Sequence, residues 1–333
     1  MKPDKKLTIE EVGKALHISK TTVSRALSGK GRVNEATKAR ILEYIQQSGC
    51  QVGVSLPEQD SSVTHNLALV IPYHFMQLDL PFLRKCMGGV CRMAAQREYD
   101  VLLCYADDIH TDQLERQLAT GKVDGVLLSR ALKQDPCIDL LRRYDVPFVV
   151  LGRQEDASIL QVDNDQTIAA AEMTRLLMQS GMRRIAYLGG NLNYMVNADR
   201  LTGYLQALEE AGMEPEPGLI FSGVETEEQR LDAMEAVLEQ KPECLLCCDD
   251  SMALFARKLL RQRGIAIPEQ MRLASLYDRE MLQDTRPPVS AVHYDAGGLG
   301  TAACRLLLDS IAGKSVPARI VQGHQVILRE STK

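Results

Sequence analysis

ISKTTVSRAL, residues 18–27, puts two chemically different faces on one short helix. At about 100° per residue, Val23, Ala26 and Leu27 share a narrow apolar stripe, while Lys20, Thr21, Ser24 and Arg25 share another face. Two cations and two hydroxyls pack poorly into a core and suit a polar, anionic surface. The helix sits near the start of a chain of 333 residues, long enough for two or three domains.

Upstream, LTIEEVGKAL (7–16) opens with Thr8 and Glu11 at capping-box spacing, and Ile9, Val12 and Leu16 share one face. Ser19 fits the N-cap of the second helix. After SGKGR (28–32), Asn34 fits the cap of a third, running to Ser48 and Gly49 with Ile41, Leu42 and Ile45 inward. Two helices joined by a tight turn, the second polar outside, form a helix-turn-helix whose second member fits the DNA major groove. Lys20, Thr21 and Ser24 then approach base edges, and Arg25 either reads guanine or holds a phosphate. Arg32, with Lys5, Lys6, Lys30 and Lys38, either neutralises phosphates or stays solvated.

Charge follows the same division. Residues 1–49 hold ten Lys and Arg against five Asp and Glu, a balance of +5 in a chain of net charge -5, which leaves -10 for the remainder. A basic head on an acidic body turns only the head toward a polyanion. No apolar run approaches the roughly 18–20 residues that span a bilayer. The opening MKPDKKLTIEEV lacks the apolar block of a signal peptide, so a cytoplasmic protein without membrane contact is expected. Nine cysteines, mostly inside apolar runs, suit a reducing compartment. Cys244 and Cys247 have CxxC spacing but no second ligand pair, so core packing is expected there, with no metal and no cofactor.

From Leu67 onward apolar runs alternate with amphipathic stretches. The runs are LALVI (67–71), VLLCY (101–105), DGVLLS (124–129), PFVVLG (147–152), RIAYLG (184–189), GLIFSG (218–223), ECLLCC (243–248) and RLASLY (272–277). Segments 84–98, 165–180, 198–212 and 251–264 carry helical spacing. This alternation predicts parallel sheets covered by helices, about nine strands in two lobes. Ligands of such sheets bind beyond the carboxyl ends of strands. Those ends carry Tyr73, His74, Asp107, Ser129, Arg130, Arg153, Asn191, Asp249, Asp250, Tyr277 and Asp278. Carboxylates, arginines and aromatics together suit a small polyhydroxylated ligand.

The segment LTIEEVGKALHISKTTVSRALSGKGRVNEATKARILEYIQQSG (7–49) resembles the headpiece of the lactose/galactose repressor (LacI/GalR) family in order, spacing and position. The likeness continues through VDGVLLS, VDNDQTIAAAEMTRLL, ADRLTGYLQAL, CDDSMALFARKLLRQRGIAIPE and RPPVSAVHYDAGGLGTAACRLL. It implies an all-α helix-turn-helix headpiece followed by an α/β core of two parallel-sheet lobes, similar to periplasmic sugar-binding proteins. It also implies a transcription regulator, a repressor, that binds a near-palindromic double-stranded DNA operator as a homodimer and answers to a small-molecule effector, a sugar or sugar derivative. Lys20, Thr21 and Arg25 occupy the family's base-reading positions, and Arg200 and Asp278 match effector-binding positions. Asp249 stands where many members carry asparagine, and Val224 near a position often aromatic. The expected effector set is Tyr73, Ser129, Arg153, Arg200, Asp249 and Asp278. The expected division is a headpiece at 1–49, a linker at 50–65 and an effector-binding and dimerisation core at 66–333. Its first lobe takes 66–163 and 293–323, its second 164–292 and 324–333, with dimer contacts through helices such as 84–98.

Three other functions compete with this one. Asp249, Asp250 and Asp278 suggest a glycoside hydrolase, but adjacent carboxylates beyond a strand end tend to point apart, and P-loop, HExxH and GxSxG motifs are absent. A transport receptor fits poorly with the basic head. A regulator answering to a phosphorylated metabolite, a nucleobase or a protein stays open.

The linker departs from the family pattern. In CQVGVSLPEQDSSVTHN (50–66), Cys50 stands for the expected tyrosine, Val52 and Gly53 for the Pro-Asn pair, and Gln59 for a groove-inserting leucine. No Lys or Arg occurs between Arg40 and Arg84, and Glu58 and Asp60 add negative charge. That charge opposes insertion into a minor groove. A gel-shift assay on circularly permuted operator fragments should therefore show little central bending; a strong kink would contradict this reading.

Overall fold

The computed structural model describes residues 9–20, 22, 23, 26, 34–47, 63–73 and 81–333, and the chain divides into two compact units, 1–63 and 64–333. In the first unit, helices Ile9–Leu16 and Glu35–Gln47 flank helical positions at Lys20, Thr22, Val23 and Ala26. Val12, Val23, Ala26 and Ile41 form its core, with Leu16, Ile18, Tyr44 and Ile45 packed around them. Ser19 starts the second helical stretch: its hydroxyl accepts from the Thr22 amide at 3.1 Å and its carbonyl from the Val23 amide at 3.1 Å. The turn before it is tight. His17 takes φ 56°, the Ile18 amide reaches the Gly13 carbonyl at 3.0 Å, and a Cβ on Gly13 would stand 2.9 Å from the Ile18 carbonyl oxygen. The Thr8 cap and the linker at 50–62 lie outside the described residues.

The described residues of the second unit form twelve strands: β1 (Asn66–Ile71), β2 (Asp100–Tyr105), β3 (Gly125–Leu128), β4 (Phe148–Leu151), β5 (Gln161–Asp163), β6 (Ile185–Leu188), β7 (Ile220–Phe221), β8 (Cys244–Cys247), β9 (Arg272–Ser275), β10 (Ser290–Tyr294), β11 (Arg319–Val321) and β12 (His324–Ile327). Two six-stranded sheets result, ordered β11-β5-β4-β3-β1-β2 and β12-β10-β9-β8-β6-β7. Every pairing is parallel except β10 with β12. The eight apolar runs supply β1–β4 and β6–β9. β5, β10, β11 and β12 bring the total to twelve, above the nine or so expected, and they lack an apolar run because they are short or polar, as in QVD, SAVHY, RIV and HQVI. The chain passes between the sheets three times, near 163–166, 294–296 and 321–324.

Both faces of the first sheet's central strands β1, β3 and β4 are buried, which is why these strands read as continuous apolar runs rather than as alternation. Leu67, Leu69 and Ile71 of β1 enter one core, while Ala68 and Val70 enter the other. Cys244 and Cys247, three apart on β8, take opposite faces of a strand and cannot converge on one ion. Burial pushes the Cys244 thiol up to about 12 and raises that of Cys247 well above its ordinary value, so neither is a thiolate. Among the described residues no group of three or more His, Cys, Asp or Glu is placed to hold a metal, and no helix is long and apolar enough to cross a membrane.

Helix Pro81–Ala95 lies against helix Ala296–Ile311 at backbone distance. A methyl on Gly89 would overlap the Gly297 carbonyl oxygen, and one on Gly300 would overlap that of Cys86. The second lobe repeats the device, with Gly203 against the Thr167 carbonyl. Overpacking of this kind costs about 1–3 kcal/mol, occasionally more. Gly89→Ala should lower the unfolding free energy of the second unit, read from urea denaturation, by that order, whereas Gly313→Ala, where no atom lies within 4 Å of the added methyl, should cost only its φ of 68°.

Candidate effector cleft and DNA-contact residues

Of the expected DNA-contact residues, Lys20 is exposed while Val23 and Ala26 beside it are buried. Thr21, Ser24, Arg25 and Arg32 lie outside the described residues, as does His74.

The second unit holds a cavity of about 220 Å³ between its two lobes. The first lobe contributes Phe82 from helix Pro81–Ala95, Ser129 and Arg130 after β3, Arg153 after β4, and Asp163 and Asn164 where β5 ends. The second lobe contributes Gln166, Tyr194, Asp199, Arg200, Asp249, Asp250 and Tyr277. Ser129, Arg153, Arg200 and Asp249 are thus brought together in one lining.

Each charged group in that lining has a distinct arrangement. Arg153 Nε and Nη2 donate to Asp199 at 2.7–3.1 Å, a bidentate pair that joins the lobes. Buried Arg200 donates from Nε to Gln166 Oε1 at 2.9 Å and from Nη1 to the Cys248 carbonyl at 2.6 Å. Asp163 pairs with Arg319 at 2.9 Å; burial raises its carboxyl and the guanidinium opposes that rise. Asp249 caps helix Asp250–Gln262 by accepting from the Met252 amide at 2.8 Å. Beside it, Asp250 is pushed up to about 6 by burial and by Asp249, with Arg279 at 3.5 Å opposing. Phe82 meets Tyr277 edge to face at 5.6 Å, making an apolar wall across the two lobes. A short backbone ribbon also spans them: the Lys133 amide donates to the Asn193 carbonyl and the Met195 amide to the Ala131 carbonyl, both at 3.0 Å, flanking a bridge between Leu132 and Tyr194.

Two expected effector residues are not in the lining. Tyr73 is 44% exposed, against the rings of Tyr105 at 5.8 Å and His110 at 5.5 Å. Asp278 is buried with both oxygens occupied: Arg329 donates to them at 2.9 and 2.7 Å and Gln283 at 3.1 Å. That carboxylate anchors the C-terminal segment, since Arg329 also donates to the Val289 carbonyl at 2.6 Å. Val224 is buried in the second lobe's core. Conversely, Phe82, Asn164, Gln166 and Asp199 line the cleft without having been singled out, because they sit on helices or beyond the short β5 rather than at the ends of apolar runs. The signal that marks Asp199 is its position next to Arg200 at the start of an amphipathic helix.

Residues 8–50 match the family model described as bacterial regulatory proteins, lacI family, and 174–332 match a periplasmic binding protein-like domain. The chain is 31% identical over 300 residues to the HTH-type transcriptional regulator AscG of Escherichia coli (strain K12), covering 86% of each chain. It is 29% identical over 332 residues to the HTH-type transcriptional regulator CelR of Thermobifida fusca, covering 97% of this chain and 98% of that one. The solved structure of a transcriptional regulator CelR-cellobiose complex matches with a TM-score of 0.76 at 29% identity, over 98% of this chain and all of the other.

The raised carboxyl of Asp250 has a defined consequence for stability. Between its unfolded value of 3.8 and its folded value of about 6, the folded state holds a proton that the unfolded chain has lost, so stability falls as pH rises through that window. A shift of this size corresponds to at most about 3 kcal/mol. The melting temperature of Asp250→Asn relative to the parent should therefore rise progressively between pH 4 and pH 7 in thermal denaturation. A difference that stays constant with pH would show that Asp250 does not titrate there.

Proposed function

The chain belongs to the lacI family of bacterial regulatory proteins, and from that premise we propose that it is a homodimeric repressor of a near-palindromic operator, released or recruited by a sugar-like effector in the interlobe cleft. Family membership makes it a ligand-responsive, DNA-binding transcription regulator rather than an enzyme. The observation that carries the effector reading is the cleft itself: acids and arginines from both lobes around an aromatic wall. Carboxylates accept from sugar hydroxyls, arginines donate to sugar oxygens, and Phe82 and Tyr277 cover an apolar ring face. A cavity of about 220 Å³ lies below the roughly 300–1,000 Å³ of drug-sized sites, which favours a small ligand. The relative solved with cellobiose supports a carbohydrate.

In this proposal Lys20, Thr21, Ser24 and Arg25 meet the major groove and Arg32 a phosphate. Ser129, Arg153, Arg200 and Asp249 hold the effector. Effector and operator then alter each other's affinity by the same factor, typically a coupling of about 1–3 kcal/mol.

Genomic fragment selection followed by fluorescence anisotropy tests both halves. Arg25→Ala should weaken binding to the selected operator by at least about tenfold, the cost of one good base or phosphate contact, and leave effector-induced thermal stabilisation intact. Asp249→Asn keeps a capping oxygen and should change which sugar stabilises the protein while sparing operator binding. A protein that selects no DNA at low salt, with or without sugars, would refute the proposal.

A further inference from the structure

Three residues that line the cleft from the first lobe carry buried polar atoms with no partner among the described residues: Ser129 Oγ, Arg130 Nε and Nη1, and Asn164 Nδ2. The unpartnered atoms of Arg130 and Asn164 are N–H donors, and the Ser129 hydroxyl both donates and accepts. Arg130 is the most exceptional of the three. Its side chain is 2% exposed, and its ion pair is one contact of 3.5 Å from Nη2 to Asp135 Oδ1, an oxygen that already accepts from the Cys137 amide at 3.0 Å. Asp135 Oδ2 has no partner, and burial raises the Asp135 carboxyl above its ordinary range despite Arg130. The cleft's other arginines differ: Arg153 is held bidentately by Asp199, and Arg200 has two short acceptors.

A guanidinium removed from water and loosely paired is costly unless something supplies its missing acceptors. Resting on the effector reading above, we propose that the effector carries an oxyanion, and that Arg130 with Ser129 and Asn164 forms the subsite that receives it. A neutral sugar hydroxyl accepts from at most two of these donors and brings a proton that itself needs an acceptor, so it fills a donor-rich set less completely. A carboxylate or phosphate, acceptor-only when ionised, fills several at once. Across the cleft, Asp249 and Asp250 repel an anion and accept from hydroxyls. The acidic end therefore faces the first lobe and the hydroxylated end the second, as in a sugar acid or a sugar phosphate.

Titration calorimetry on the full chain at constant ionic strength tests this with D-glucose, D-glucuronate and D-glucose 6-phosphate, the corresponding galactose series, cellobiose, and inorganic phosphate as the non-sugar control. At least one uronate or sugar phosphate should bind at least tenfold tighter than its neutral parent, and which of them wins identifies the source of the oxyanion. Arg130→Met should bring that preference below about twofold. Ser129→Ala, which removes one unpartnered hydroxyl, should reduce it severalfold and serves where Arg130→Met does not fold. Neutral sugars that bind as tightly as their acids, or a preference untouched by both substitutions, would overturn the oxyanion subsite while leaving the effector reading in place. Binding by none of the sugars would overturn both.

Discussion

A cleft closed between two sheets has to neutralise the charges it takes out of water, and the arrangement of the second unit follows from that constraint. Asp199, Asp163 and Asp278 each face an arginine at 2.7–2.9 Å. Arg200 instead donates to a backbone carbonyl and a side-chain amide oxygen. Breaking such a pair leaves an uncompensated buried charge, which costs more than the pair itself contributes. Pairing therefore acts as a filter on function: side chains whose polar atoms are consumed by the protein hold the fold, and those with atoms left over are available to a ligand.

That filter bears on which strand-end residues reach the cleft lining and which do not. Parallel strands buried on both faces betray themselves as apolar runs, and the residues that follow them are the first to reach solvent at the carboxyl edge. Ser129, Arg153 and Asp249 were legible for this reason, and Arg200 through the family resemblance. Asp278 also follows a strand, but its fate depends on Arg329, 51 residues later, and no local pattern announces a partner at that separation. Tyr73 has the right position and chemistry, yet packs against two neighbouring rings. The strands that escaped notice, β5, β10, β11 and β12, are those whose short or polar sequences lack the apolar signal.

The headpiece was legible for a different reason. Its fold is local: a cap at Ser19, a turn closed by Gly13 and His17, and four apolar residues drawn from three neighbouring helical stretches close a core. Contacts of short sequence separation leave their periodicity in the sequence, whereas the pairing of β11 with β5 joins segments more than 150 residues apart and leaves none.

The two lobes of the second unit are joined at few places. They are tied covalently by three chain crossings and non-covalently by the ribbon at 131–133 and 193–195, the Arg153–Asp199 pair and the Phe82–Tyr277 contact. Two backbone hydrogen bonds are worth about 0.5–1.5 kcal/mol each, and an aromatic pair about 0.5–1.5 kcal/mol beyond its buried area. Regulators of this kind transmit a signal through couplings of about 1–3 kcal/mol. Two lobes held much more tightly would ignore a small ligand, and two held much more loosely would give it nothing to shift. A molecule that engages donors on one lobe and acceptors on the other adds its own contacts only when both are together, and that difference in affinity between the two arrangements is what moves the equilibrium.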